Sequence, residues 1–198
     1  MKTANRTIDY YNRNANQYFQ NTVIVNMKTC CDKFIKYIVP GGKIIDIGAG
    51  SGRDAKYFKN NGFKVEAIDA SEKMCQLATK YAEVDVQCER IQDWKPKCSY
   101  DGIWASASLL HLSLDEIIAF ICRVPSYLNT NGMLYFSMKK GIQTGYDSNG
   151  RFFTSFSEES VNDILDISKA YEIIELWITE DKMNREEIQW LNILLRKR

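Results

Sequence analysis

Between residues 7 and 38 the apolar positions recur every three to four residues, with Ile8, Tyr11, Ala15, Tyr18 and Phe19 on one face. That spacing predicts a helix. It breaks near Asn21-Thr22 and resumes over 27–39, where Pro40-Gly41-Gly42 stops it. From residue 43 the pattern changes to short apolar runs at 43–48, 63–68, 84–88, 100–106 and 132–138, which read as strands. Helical stretches at 52–61, 72–82 and 114–128 separate them. Such β-α alternation implies a parallel sheet covered by helices on both faces, and right-handed crossovers make it doubly wound. Ser157 is placed to cap a helix running to about 168. Strands at 171–179 and 188–195 follow, joined by the polar run 180–185, which is too short for a crossover helix. Those two strands should therefore be antiparallel, giving a mostly parallel sheet with one reversed strand near its end. The expectation is one α/β domain: a helical cap over 1–40 and a sheet core over 41–198.

Composition narrows the classes of partner. The chain has 198 residues, enough for one domain with a sizeable core. Its 26 basic and 25 acidic side chains leave a formal charge of +1, so no global field points to nucleic acid or an anionic membrane. The closing Arg196-Lys197-Arg198 reads as a solvated chain end. Met1 to Arg6 is polar, with no signal-peptide core, and no apolar run approaches the roughly 20 residues that span a bilayer. The six cysteines show neither CxxC spacing nor a neighbouring histidine cluster. They are expected to be reduced thiols in a cytoplasm, with no metal site.

The stretch "KIIDIGAGSGRDAKYFKNNGFKVEAIDAS", 43–71, carries the candidate chemistry. Gly48, Gly50 and Gly52 lie between a strand and a helix, where a ligand can approach the backbone without a Cβ in the way. The helix start offers free N–H groups. A dinucleotide fingerprint would need glycine at 53, where this chain has arginine, and no Lys-Ser/Thr pair forms a phosphate loop. Asp69, at the end of the second strand, can instead accept from two ribose hydroxyls. The pattern predicts a ligand with a ribose and no bridging phosphates.

Together "IIDIGAGSGRD", "VEAIDAS" and "YDGIWASASLLHL" resemble class I S-adenosylmethionine-dependent methyltransferases, across essentially the whole chain. Within them the chain is most similar to small bacterial members often labelled tellurite-resistance-like. The resemblance implies a Rossmann-like seven-stranded sheet, six strands parallel and one antiparallel, with S-adenosyl-L-methionine as cofactor and S-adenosyl-L-homocysteine as product. Carried onto this sequence, it places Asp46, Gly48, Ala49 and Gly50 at the methionine amino group and ribose edge. Asp69 takes the ribose hydroxyls, while Ala70, Ser71 and Met74 border the adenine. Glu89 matches the acid that accepts from the adenine amine, with Arg90 and Ile91 supplying backbone; Asp93 competes for that role. Ser106 meets the methionine end. Arg53 either pairs with the methionine carboxylate or is a solvated helix-start cation.

Displacement at a sulfonium needs alignment and dryness more than catalytic groups. His111, the only histidine, follows the fourth strand where such a family places its reaction centre; it reads either as a base or as a structural residue of an apolar turn. Ser108 is a further candidate. Tyr11 and Tyr18, with Tyr10, bring aromatic faces or hydroxyls toward the sulfonium, or else staple the helix to the core. The segment 139–153, with glycines at 141, 145 and 150, reads as a mobile lid or a plain surface loop. Its Lys139, Tyr146 and Arg151 can contact an anionic substrate. With no separate gripping domain, the expected acceptor is a small molecule: a thiol, chalcogen oxyanion, amine or hydroxyl. A non-catalytic S-adenosylmethionine-binding sensor or partner module is the alternative. A nucleic-acid methyltransferase is disfavoured, because "ASAS" stands where an N-P-P-[YF] tetrapeptide would be. Oligomeric state leaves no trace in the sequence.

Overall fold

The computed structural model describes residues 2–183 and 188–198. Helix α1 (Lys2–Val23) and helix α2 (Lys28–Ile35) lead into strand β1 (Lys43–Ile47), helix α3 (Arg53–Asn60) and strand β2 (Lys64–Asp69). Helix α4 (Glu72–Ala82), strand β3 (Asp85–Cys88) and strand β4 (Tyr100–Ala105) come next, then helix α5 (Leu114–Arg123) and strand β5 (Leu128–Lys140). A short hairpin, β6 (Gly145–Tyr146) and β7 (Phe152–Phe153), precedes helix α6 (Glu158–Ile167) and strands β8 (Tyr171–Glu180) and β9 (Gln189–Lys197). Asn184 and Arg185, at the end of the expected 180–185 connector, lie outside the described residues.

The main sheet has the order β3-β2-β1-β4-β5-β9-β8. Only β9 is antiparallel to its neighbours, so six strands are parallel and one is reversed. This is a doubly wound, Rossmann-like α/β sheet. Its central strands are buried on both sides and accordingly read as near-continuous apolar runs. Ile45, Ile47, Ile103 and Phe136 face a core shared with α5 and α6, while Ile44, Trp104 and Tyr135 face α2 and α3. On that second side Trp104 stacks on Tyr135, ring centroids 3.8 Å apart.

Two sequence expectations change. The helix expected over 114–128 ends at Arg123 and continues as a 3₁₀ turn over Val124–Tyr127. Pro125 has no N–H to give the Ile121 carbonyl, which accepts instead from the Tyr171 hydroxyl at 2.9 Å. Strand β5 begins at Leu128, not 132, and Asn131 adopts φ +60° within an irregular pairing with β4. The N-terminal helices also divide their work. Helix α1 packs on α4 and the β7 hairpin, whereas α2 belongs to the core. Its Phe34 is fully buried against Gly102, where a Cβ would come within 2.6 Å of the ring. Burying such a ring contributes roughly 1.5–3 kcal/mol. Among the described residues no helix is long and apolar enough to cross a membrane.

Candidate active site

Two cavities lie at the C-terminal ends of the parallel strands, where open α/β sheets bind ligands. The first, about 110 Å³, is walled by α1 through Thr7, Ile8, Tyr11 and Tyr18, and floored by the loops after β1 and β2. The second, about 470 Å³, runs between α1, β5, the β6–β7 hairpin and the β8–β9 end of the sheet. Tyr11, Tyr18, Gly48, Gly50, Ala107 and His111 line both, so the cavities share one partition.

The glycine loop shapes that partition. Gly48 has φ +76°, and a Cβ there would fall 2.4 Å from Cβ of Ser108. The loop after β4 can approach the loop after β1 only because the side chain is absent. Gly52 serves packing: its added Cβ would meet the Ala78 backbone at 3.0 Å, so this glycine seats α3 against α4. Asp69 closes β2 with its carboxylate fixed by two amides, Gly50 donating to Oδ2 at 2.9 Å and Ser71 to Oδ1 at 2.8 Å. Burial raises its carboxyl above the usual carboxylate range, against the pull of the Ser71, Gly50 and Ala70 amides. Asp46 is buried at 3% exposure, and its Oδ2 has no hydrogen-bond partner among the described residues. Burial, and then the Asp54 charge, push its carboxyl well upward. An orphaned acid oxygen in a cleft is matched by a ligand donor, most simply an ammonium group.

The residues assigned from the sequence gather here. Gly48, Gly50, Asp69, Ala70, Ser71 and Met74 line the first cavity, as do Glu89, Arg90 and Ile91 from the loop after β3. Asp46, Ala49, Arg53 and Ser106 line the second. Asp93, the competitor of Glu89, lines neither; it lies 3.8 Å from Arg90. Arg53 is neither solvated nor free: its guanidinium grips Asp54 at 2.7 and 2.9 Å, and Asp54 also accepts from the Trp104 indole N–H at 2.9 Å.

Tyr11 and His111 meet across the partition. The Tyr11 hydroxyl lies 2.8 Å from Nε2 of His111, and Nδ1 lies 2.6 Å from the Phe152 carbonyl. A carbonyl only accepts, so Nδ1 carries the proton and Nε2 accepts from Tyr11. Burial lowers the imidazole pKa to about 4, helped by the positive charges of Arg151 and Lys139. Burial also holds the Tyr11 hydroxyl well above its ordinary value. The pair is neutral at physiological pH.

Within the 139–153 segment, Lys139 and Lys140 end β5 and 145–153 form the β6–β7 hairpin. Asp147 accepts two guanidinium bonds from Arg151, at 2.9 and 2.6 Å, and Phe152 N–H donates to Thr7 Oγ1 at 2.9 Å. Lys139 and Arg151 line the second cavity; Tyr146 lines neither and packs beside Arg6 and Phe152. Sequence reasoning missed Thr7 and Asn12, whose Oδ1 accepts from Ser71 Oγ at 2.8 Å. It also missed Ser137 and Asn192 on the floor of the second cavity. Small polar residues inside amphipathic or strand patterns carry no signal of their own.

Residues 23–174 match the family model described as a methyltransferase domain. The chain belongs to that family. Within it, this methyltransferase domain is 24% identical over 155 residues to the ubiquinone biosynthesis O-methyltransferase of Rickettsia conorii, covering 75% of the chain and 53% of the relative. It thus spans about half the length of that protein. Among solved structures it is similar to 1,6-didemethyltoxoflavin-N1-methyltransferase of Burkholderia thailandensis, with bound 1,6-didemethyltoxoflavin and S-adenosylhomocysteine. That likeness has a TM-score of 0.76 at 18% identity, over 96% of this chain and 84% of that one. TehB from Haemophilus influenzae aligns with a TM-score of 0.73 at 19% identity, over 96% of this chain and 67% of that one. At these identities the structural likeness is one of fold.

Proposed function

We propose that the chain is an S-adenosylmethionine-dependent methyltransferase acting on a small-molecule nucleophile. The observation that carries this is Asp69, held by the Gly50 and Ser71 amides at the wall of the first cavity. Its remaining lone pairs suit two neighbouring ribose hydroxyls. Asp46 supports the reading, because its orphaned Oδ2 suits the amino group of the methionine moiety. Glu89, Arg90 and Ile91 suit the adenine edge and Ser106 the methionine end.

Bound there, the cofactor supplies an activated methyl on a sulfonium, which a nucleophile displaces in line. The chain's part is to align the partners and exclude water. Where the acceptor loses a proton, Tyr11 can take it while passing its own to Nε2 of His111. The relay ends on a weak base, so it serves an acceptor that is already acidic. Arg53, spent on Asp54, orders the helix start and is not placed on the methionine carboxylate in this reading. A thiol, chalcogen oxyanion, amine or hydroxyl was open from sequence alone, and the acceptor is small because the second cavity is about 470 Å³. That same volume, joined to the cofactor cavity, argues against a purely sensory module.

Calorimetric titration with S-adenosylmethionine, S-adenosylhomocysteine and NAD tests the reading. Micromolar binding of the first two, lost in Asp69→Ala, is expected. Binding of NAD alone, or of none, would overturn it.

A further inference from the structure

Two cysteines with no part in the proposed reaction meet behind the wall of the first cavity. Cys75, at the end of the first turn of α4, is buried. Its Sγ lies 3.3 Å from the Asp69 carbonyl and 3.7 Å from the Gln87 carbonyl, so the thiol bridges the ends of β2 and β3. Asp69 is the direct register partner of Cys88, the last residue of β3. Side chains alternate along a strand, so Cys88 shares the sheet face of Val86, which packs with Cys75, Ala78 and Ala82. Cys88 is exposed. Burial first, then the Asp69 charge and Cys88 as charge and hydrogen-bond partner, hold the Cys75 thiol above its ordinary range. One open thiol and one covered thiol therefore face each other.

Each cysteine adjoins the cavity wall. Met74 precedes Cys75, Glu89 follows Cys88, and both line the first cavity. Glu89 N–H donates at 2.9 Å to the Asp69 carbonyl, the same oxygen that faces Cys75 Sγ. The helix side of the pair is the better fixed. Ser71 Oγ accepts from Met74 N–H at 3.2 Å and donates to Asn12 at 2.8 Å, and Ala78 seats against Gly52. Strand β3 is an edge strand, held by β2 alone. Drawing the two sulfurs into a bond therefore moves the end of β3 more than it moves α4.

We infer that Cys75 and Cys88 form a reversible disulfide that draws Glu89, Arg90 and Ile91 off the first cavity and so loosens its ligand. The disulfide stands on the placement of the two thiols; its effect on the cofactor rests on the methyltransferase reading. A small-molecule disulfide is the oxidant. The exposed Cys88 sulfur attacks it, forming a mixed disulfide and releasing one small thiol, which carries away the Cys88 proton. The Cys75 sulfur then attacks the Cys88 sulfur and releases a second small thiol with the Cys75 proton. Two protein thiols are oxidised and one small disulfide is reduced. A dithiol reverses the exchange and keeps the disulfide itself. In the bonded form Cys75 no longer donates to the Asp69 carbonyl, so the ribose-facing acid loses a support as the wall beside it shifts.

The test equilibrates the full chain with oxidised glutathione, blocks the remaining thiols with iodoacetamide and maps the tryptic peptides by mass. Peptides 74–80 and 81–90 hold one cysteine each. They are expected as a joined pair that dithiothreitol separates. The affinity for S-adenosylhomocysteine, read by calorimetry, should fall by about tenfold on oxidation, the worth of one or two hydrogen bonds of the wall, and recover with dithiothreitol. Cys75→Ser and Cys88→Ser should each bind alike before and after the oxidant. Cys88 halted as its glutathione adduct, a link to any other cysteine, unchanged affinity in the fully linked protein, or a loss that persists in both serine variants would overturn the inference. Failure of the reduced protein to bind S-adenosylhomocysteine sinks the methyltransferase reading and the effect on the cofactor with it, while the peptide map still decides the disulfide.

Discussion

Glutamine at position 111 can keep both contacts of the histidine, its amide nitrogen donating to the Phe152 carbonyl and its oxygen accepting from Tyr11, while removing the titrating group. The effect on acid stability follows from the imidazole pKa, lowered from 6.5 to about 4 by burial first and then by Arg151 and Lys139. The folded state therefore binds fewer protons than the unfolded chain between those values, and stability falls as pH drops through that window. Between about pH 7.5 and about pH 5 the histidine alone should cost about 2 kcal/mol, rising to about 3 kcal/mol once the folded form protonates. Buried Asp46 and Asp69, with raised pKa values, act in the opposite sense, but they are common to both proteins and cancel in the difference. The groups that act on His111 besides Tyr11 are Arg151, Lys139 and Asp147, whose carboxyl is held low by Arg151. Urea unfolding of the wild type and His111→Gln at the two pH values measures the quantity directly. The wild type should lose about 2 kcal/mol more than the variant on acidification. Equal losses, within about 0.5 kcal/mol, would mean that the imidazole is hydrated or charged in the fold, and the Tyr11–His111–Phe152 chain would be wrong.

Three further outcomes check other parts of the structure. Asp46→Asn should stabilise the ligand-free protein by about 1 kcal/mol, because it removes a buried, repelled charge, yet weaken S-adenosylmethionine binding by about tenfold or more; denaturation and calorimetry read the two effects. Gly48→Ala combines a left-handed backbone with a 2.4 Å encounter with Ser108, and should cost about 2–3 kcal/mol of stability, seen as a lower urea midpoint. Tyr171→Phe leaves the Ile121 carbonyl unpaired beside Pro125, a loss of about 1–2 kcal/mol by the same assay.

The sheet was legible because its information is local. "KIIDI" and "YDGIWA" are apolar on both faces and are separated by helical spacing, so strand, helix and parallel pairing follow from period and length alone. The reversed β9 was legible from the shortness of its connector. The end of α5 was not, because the partner that replaces the proline's missing bond, Tyr171, comes 50 residues later. Much of the cleft wall was also legible: Gly48, Gly50 and Asp69, singled out by their spacing, all line the first cavity. The role of Arg53 could not be read, because it depends on the adjacent Asp54 turning inward to meet Trp104. Nor could the hairpin at 145–153 be told from a loop, since its order comes from Thr7 and His111, far away in sequence.

Helix α1 is tied by side chains to three separate parts of the core: Thr7 to β7, Tyr11 to His111 and Asn12 to Ser71. At about 1 kcal/mol net for each bond, these ties alone hold an undocked helix to on the order of 1% of molecules. The same helix forms one wall of both cavities. Any ligand that touches Tyr11 or Tyr18 therefore favours the docked state, and by linkage the docked helix tightens that ligand in equal measure. Occupants of the two cavities communicate through this shared wall: filling either one prepays part of the ordering that the other requires, in addition to any direct contact between them.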